Sequence, residues 1–296
     1  MIVYVNGSYV EEAEAKISVY DHGFLYGDGV FEGIKAYNGR IFALDEHVDR
    51  FFESAQSIQL ELPLSRDGMK KAIIETVRRN KLKDAYIRPV ASRGKGSLGL
   101  DPKNCAGATV VIIVDAETRH PEDKGGKSSG RKGIKVITSA IRRNGPDVLS
   151  PRIKSTNYLN NILAKLQANA VGAQDAIFLN AQGQVCELTG DNIFIVKRNL
   201  VLTPPISSGI LDGVTRRAIL RVAGEEGLTA LEEPLTLHDL YTCDECFCTA
   251  TRIELAPITW IDGRRIGNGE PGPVTARLAK AFLALAGREG APVYNN

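Results

Sequence analysis

Apolar positions along this chain recur with two interleaved periods. Alternation of apolar and polar residues marks short strands at Val3–Val5 and Tyr9–Val10. They flank Asn6-Gly7, a pair suited to a two-residue hairpin turn. Val30–Tyr37 reads as a further strand, which Asn38-Gly39 turns into Arg40–Leu44; Ala85–Arg93 and Thr109–Ala116 follow. Between them the spacing becomes helical. Asp45 is the expected cap of a helix whose core face is Val48, Phe51 or Phe52, Ala55 and Ile58, with Arg50 off that stripe. A second helix is predicted over Ser65–Asn80.

From Thr118 to Lys132 every residue is polar, Gly or Pro, which predicts an exposed linker. The expected division is a small N-terminal domain over 1–118, a linker over 119–132 and a larger domain over 133–296. Beyond the linker, strands are predicted at Ile134–Ser139, Asp175–Leu179, Val185–Glu187, Asn192–Val196 and Leu200–Thr203, and around Cys246–Ala250. Helices are predicted over Val214–Glu226, closed by Gly227, and over Pro273–Ala286. Leu159, Ile162, Leu163, Leu166 and Ala170 form one more helical stripe, stopped at Gly172. Strands and helices mix without strict alternation, so the fold class expected is α+β.

At 43% hydrophobic the 296-residue chain can bury a full core without disulfides or metal. The net charge of +2 leaves no electrostatic footprint for nucleic acid or an anionic membrane. The longest apolar run, Val110–Val114, is too short to span a bilayer, and Met1–Val5 lacks the basic start of a signal peptide. A soluble, cytoplasmic protein is expected. Five cysteines, an odd number, argue against a disulfide scaffold. Cys243, Cys246 and Cys248 have the look of a zinc or redox cluster, but no second pair follows at ligand spacing, and a buried strand is the better reading. No metal site is expected, and no catalytic role falls to the four histidines.

Candidate chemistry centres on Lys154. It precedes Ser155-Thr156-Asn157, good capping types, and then the Leu159 stripe, which places an amine at the head of a helix. Such a lysine is suited to Schiff-base chemistry, yet these residues alone describe a surface lysine beside a cap more readily. Glu187, among apolar neighbours in a strand, needs a cationic partner or a site; an ordinary ion pair meets that need equally. Gly213-Val214-Thr215 opens a helix directly after a turn, a natural phosphate seat, though an ordinary capped helix is the plainer account. Gly94–Gly99 matches G-x-G-x-x-G after a strand, but Leu100-Asp101-Pro102 opposes the helix that a dinucleotide site requires. A mobile glycine-rich loop is expected there, with a nicotinamide-dependent oxidoreductase as a rival from another class.

Taken together, several stretches resemble one family. They are Tyr26–Gly33, Asp45–Arg50, Tyr86–Pro89, Ile153–Asn160, Glu187–Phe194, Leu211–Arg216, Thr249–Glu254 and Gly272–Thr275, in family order over nearly the whole chain. The chain resembles the class IV (fold-type IV) pyridoxal-phosphate aminotransferases, and among them the branched-chain amino acid aminotransferases. The resemblance implies a two-domain architecture, with a small N-terminal α/β domain and a larger domain built on a mixed sheet or barrel. It implies that Lys154 carries pyridoxal 5'-phosphate covalently. Arg50, the amides of Val214 and Thr215, and Thr251 would hold its phosphate, Tyr158 its ring hydroxyl and Glu187 its ring nitrogen. Tyr26, Phe31 and Gly33 resemble the apolar substrate pocket, and Tyr86 and Arg88 the pair that handles a carboxylate. The partners implied are an L-branched-chain amino acid, a 2-oxo acid such as 2-oxoglutarate, and a second copy of the chain in a homodimer or higher oligomer. The alternatives on the same fold are a D-amino acid or other amine aminotransferase and an aminodeoxychorismate-type lyase. One departure stands out: Arg252 and Ile253 follow Thr251 where the family usually has two small residues, so Arg252 is a candidate substrate contact.

Overall fold

A computed structural model describes residues 1–116 and 132–294. The linker expected at 119–132 lies outside the described residues except for Lys132. The described residues form two compact units. The first draws on 1–116, 153–157 and 286–294, the second on 132–152 and 158–285.

The first unit is an antiparallel sheet carrying two helices on one face. Its elements are β1 (Ile2–Val5), β2 (Ser8–Glu11), α1 (His22–Tyr26), β3 (Gly29–Phe31), β4 (Ile34–Tyr37), β5 (Arg40–Ile41), α2 (Leu44–Ser57), α3 (Arg66–Arg79), β6 (Ala85–Ser92) and β7 (Thr109–Ala116). The strand order is β5-β4-β6-β7-β1-β2, with β3 also paired to β6, and residues 291–292 add a short edge beside β5. Asn6 and Gly7 (φ 46° and 92°) and Asn38 and Gly39 (φ 51° and 78°) turn the chain as their types predict. Val48, Phe51 and Ala55 of α2 and Met69, Ile73 and Val77 of α3 pack on Val30, Ile34, Ile87 and Ile112 of the sheet. Each large apolar side chain buried there contributes about 2 kcal/mol.

Three expectations for this unit need correcting. The strand expected over Val30–Tyr37 breaks after Phe31, because Glu32 lies opposite Pro89. Glu32 N–H donates to Pro89 O at 2.9 Å, but the proline has no N–H to return. Asp45 does not cap α2: the N-cap is Ala43 in a left-handed conformation, and Asp45 instead meets Lys70 at 2.9 Å. Arg50 is not off the buried face but part of it, only 7% exposed, because a buried carboxylate waits there. Helix α1 carries no apolar period to predict it, although Asp21 caps it and Gly27 ends it at φ 70°.

The second unit is a mixed sheet that closes on itself. It contains β8 (Ile134–Thr138), α4 (Pro146–Leu149), α5 (Leu159–Ala170), β9 (Asp175–Leu179), β10 (Val185–Leu188), β11 (Asn192–Lys197), β12 (Leu200–Thr203), α6 (Val214–Glu225), β13 (Thr229–Glu232), α7 (Leu237–Tyr241), β14 (Glu245–Ala250), β15 (Glu254–Ile261) and α8 (Pro273–Arg288). The order β10-β9-β8-β15-β14-β11 returns to β10, so six strands form a ring, and β12 and β13 extend from β11. The pair Glu187–Asn192 closes it. One core cluster takes residues from all six ring strands, among them Val136, Ile177, Val185, Ile193, Cys248 and Ile258. Cys243, Cys246 and Cys248 belong to this cluster and act as small hydrophobes.

Helix α5 departs most from expectation. No side chain caps it; its N-cap is Tyr158. Its buried residues are Asn161, Ala164 and Ala168, whereas Leu159, Ile162, Leu163 and Leu166 are exposed. Small side chains let the helix lie close on Ala176 and Phe178 of β9 and Cys186 of β10.

The Gly94–Gly99 loop serves the first unit's backbone. His22 N–H donates to Gly94 O at 2.9 Å, Gly96 N–H to Tyr20 O at 3.1 Å, and no βαβ unit follows. Gly94 has φ +86°, and a Cβ there would lie 1.9 Å from Gly107 O. Gly94→Ala is expected to destabilise the protein by about 2 kcal/mol or more, against about 1 kcal/mol for Gly7→Ala, whose surroundings are open. Denaturant midpoints of the two variants check this; equal losses would contradict the close approach at Gly94.

Candidate active site

In the first unit one buried glutamate gathers Arg50 and His47. Glu32 is fully buried where β3 gives way to β4. Its Oε1 accepts from Arg50 Nε at 2.6 Å, and its Oε2 from Arg50 Nη2 at 2.9 Å and His47 Nδ1 at 2.8 Å. A carboxylate only accepts, so His47 carries its proton on Nδ1. Burial pushes the Glu32 carboxyl up, but Arg50 and His47 outweigh it and hold it well below the usual carboxylate range. Burial lowers the His47 pKa despite that partner.

The lysine segment lies along the open edge of β3. Phe31 N–H donates to Lys154 O and Thr156 N–H to Gly29 O, both at 2.9 Å, and Val30 pairs with Ser155. Lys154 N–H donates to Ser54 Oγ at 3.1 Å, one turn along α2 from Arg50. Ser155, Thr156 and Asn157 therefore do not cap α5; Thr156 Oγ1 and Asn157 Nδ2 both donate to Gly27 O, at 2.7 and 2.9 Å. The Lys154 ammonium lies 4.8 Å from the Phe31 ring centre, and among the described residues no carboxylate pairs with it. A fixed strand edge, rather than a helix head, positions this amine.

Strand register places Phe31, Gly33, Tyr86 and Arg88 on one sheet face, opposite the α2–α3 core. Arg88 Nη2 donates to the Tyr86 hydroxyl at 2.8 Å, and its guanidinium lies 4.6 Å from the Phe31 ring centre. Gly33 makes room for the phenol, since a Cβ there would be 2.3 Å from the Tyr86 oxygen. Arg88 has no carboxylate partner among the described residues, and its buried Nε has no acceptor. Tyr26, on α1, accepts a hydrogen bond at its hydroxyl from Gly99 N–H at 2.9 Å.

In the second unit Glu187 closes the ring and is only 5% exposed. Arg143 Nε and Nη2 reach its Oε1 at 2.9 and 2.8 Å, and Asn192 Nδ2 and Leu211 N–H reach its Oε2 at 3.0 and 3.1 Å. Helix α6 begins at Val214 behind Gly213, with no side-chain cap. Gly213 lies so close to Asn192 that a Cβ would be 2.0 Å from Oδ1. Thr249, directly across from Asn192 on β14, is 1% exposed, and its hydroxyl has no partner among the described residues. An uncapped helix start and an unpartnered hydroxyl, both flanking Asn192, are a donor set that suits a bound oxyanion. Thr251 and Arg252 follow in the turn between β14 and β15, Thr251 half-buried and Arg252 exposed. Tyr158 is half-buried at the start of α5.

The family model for "Amino-transferase class IV" matches residues 29–261. The chain belongs to the class IV aminotransferases. It is 48% identical over 295 residues, the whole of both chains, to a "Putative branched-chain-amino-acid aminotransferase" of Methanocaldococcus jannaschii. Among solved structures, the branched-chain aminotransferase of Thermoproteus uzoniensis with norvaline superposes with a TM-score of 0.90 at 38% identity, covering 99% of each chain. The T.th. branched-chain amino acid aminotransferase complexed with N-(5'-phosphopyridoxyl)-L-glutamate gives a TM-score of 0.90 at 36% identity, covering 97% of this chain and 94% of that one. The α+β architecture with its closed sheet is thus the fold of these enzymes.

Several residues of the aminotransferase had no signal in the sequence. Glu32 and His47 lie inside matched stretches without any sign that they pair, and Arg143 lies in an unpatterned stretch. Thr249 is disguised as an ordinary strand residue. Asp191, beside Asn192, is pushed up to about 7 by burial and then by the Asp175 charge. No cluster of three or more His, Cys, Asp or Glu is placed to hold a metal ion among the described residues, and none of their helices is long and apolar enough to cross a membrane.

Removing the Glu32 charge takes away the buried carboxylate that Arg50 and His47 share. Glu32→Gln is expected to cost the aminotransferase about 3 kcal/mol in urea unfolding at neutral pH. Because the folded pKa of Glu32 is depressed, its contribution is present above the ordinary glutamate range and lost as pH falls through the folded value. The gap between parent and variant should narrow in strong acid; a gap that stays constant would disprove the charge match.

Proposed function

We propose that this aminotransferase transfers the amino group of an L-branched-chain amino acid to 2-oxoglutarate on pyridoxal 5'-phosphate, as a cytoplasmic homodimer. The observation that carries the reading is the amine of Lys154, fixed on a strand edge with no counter-ion among the described residues. The relatives support it, since those named above are branched-chain aminotransferases, and the solved ones hold norvaline or a phosphopyridoxyl-glutamate. The exposed row Leu159, Ile162, Leu163 and Leu166 supports the dimer, because apolar surface of that kind is usually covered.

When bound, pyridoxal phosphate supplies an aldehyde carbon that carries the amino group and a ring that draws electron density from the substrate Cα. Lys154 holds the group covalently. As a free amine, Lys154 Nζ would take the Cα proton and later return one. Arg50, the N–H groups of Val214 and Thr215, and Thr251 bind the phosphate. Tyr158 takes the ring hydroxyl. Glu187 holds a proton at the ring nitrogen.

Phe31, Gly33 and Tyr26 form the apolar wall for a branched side chain. Tyr86 and Arg88 receive the side-chain carboxylate when the second substrate is acidic. The unmatched charge of Arg88 favours that role over a purely structural one. Arg252, exposed in its turn, sets how the α-carboxylate is received.

Lys154→Ala should abolish the visible absorbance of the bound cofactor and lower turnover by at least a thousandfold, on the order expected for loss of the nucleophile and base together. Near-normal leucine to 2-oxoglutarate turnover in that variant would sink the assignment. Arg252→Ala should change the ratio of KM for 2-oxoglutarate to KM for leucine by about tenfold, equivalent to one charge-assisted hydrogen bond. Equal changes in both constants would remove Arg252 from the pocket.

A further inference from the structure

Each oxygen of Glu187 has its own donors, and those on Oε1 bring charge. Asn192 and Leu211 N–H hold Oε2 with neutral donors, while Arg143 places two N–H groups on Oε1. Arg143 is itself held firmly. Its side chain is 9% exposed, its N–H donates to Leu179 O at 3.0 Å, and its guanidinium lies 5.6 Å from the Phe178 ring centre. The Arg142 charge also reaches the neighbouring Cys186, after that of Arg143. Asp191 opposes a second negative charge there, and burial and then Glu187 itself push the Cys186 thiol up to about 12, so it stays neutral.

We propose that Arg143 is a positioning residue that keeps Glu187 ionised and aimed, so that a proton shared with the cofactor's ring nitrogen resides on the nitrogen. The inference rests on the reading that Glu187 faces that nitrogen. A buried carboxylate and a pyridine nitrogen sharing one proton have two arrangements: an ion pair, with the proton on nitrogen, or a neutral pair, with the proton on oxygen. In a poorly solvated site the neutral pair is favoured unless another charge stabilises the carboxylate. Arg143 supplies that charge at contact distance, where it outweighs its repulsion of the more distant ring. Holding the proton on nitrogen is what makes the ring an electron acceptor, so Arg143 acts on the chemistry without touching the ring.

The test uses the full-length holoenzyme loaded with ring-15N pyridoxal phosphate, whose 15N resonance reports where the proton lies. Glu187→Gln should move the resonance toward the unprotonated form. Arg143→Gln should move it in the same direction, and Arg143→Lys by less, because an ammonium brings charge without the two-pronged contact. In the Glu187→Gln background, Arg143→Gln should add no further shift. The cofactor dissociation constant should rise about tenfold in Arg143→Gln, as for loss of one charged partner. A role confined to stability would lower the unfolding midpoint and leave the resonance at its parent position, which overturns the proposal. An additional shift in the double variant would overturn it too, because Arg143 would then act without Glu187. If Arg143→Gln does not fold, Arg143→Lys decides by the same criteria. If Glu187→Gln itself leaves the resonance unmoved, the assignment of Glu187 fails first, and that outcome is distinct from a silent Arg143.

Discussion

A carboxylate taken out of water must be matched by donors the chain itself provides, and each unit is organised around one such match. In the first, Glu32 requires His47 and Arg50 on the same face of α2, three residues apart, and stands between Val30 and Ile34 on the sheet face turned to that helix. Pro89, opposite Glu32, has no N–H to return, and the ladder is interrupted there. In the second, Glu187 requires Arg143 from the segment after β8, Asn192 from β11 and a backbone N–H from the loop before α6. Elements distant in sequence meet at a single side chain in each case. The matches therefore specify tertiary arrangement more sharply than the apolar cores, whose contacts are interchangeable in kind.

Most of the strands and the longer helices were legible in the sequence, because their signals are local. The Asn-Gly turns, Ser65 capping α3, the alternation in Thr109–Ala116 and the glycines closing α5 and α6 each act within a few residues. Of the site, Lys154, Glu187 and the start of α6 could be singled out, but only the joint order of motifs gave them meaning. Arg143, His47 and Thr249 stayed silent because their importance comes from what they meet in space. Strand β15 was missed for a related reason: its residues are buried almost throughout, which removes the alternation that marks a half-buried strand.

Helix α5 marks a different limit. The stripe Leu159, Ile162, Leu163 and Leu166 was read correctly as one face, yet that face looks outward. Periodicity says which residues share a side of a helix, and only packing says which side is turned to the core. Here Ala164 and Ala168 are the inward residues, because β9 and β10 leave room for a close backbone approach. The same economy of space operates at Gly213 against Asn192 and at Gly33 against the Tyr86 phenol.

The ring of the second unit has a weak place. Strands β10 and β11 share one rung, Glu187 with Asn192, beside the turn that joins them, whereas β11 and β14 share five. Such a seam behaves as a latch. Its opening breaks one pair of residues and leaves the other strand pairings intact, so it belongs at the low end of the protein's local unfolding energies. When the latch lifts, Glu187 regains water, and when it shuts, the carboxylate is dry again. The anion of this unit thus sits at the seam with the fewest backbone rungs, and its side-chain bonds to Arg143 and Asn192 stand in for the missing ladder.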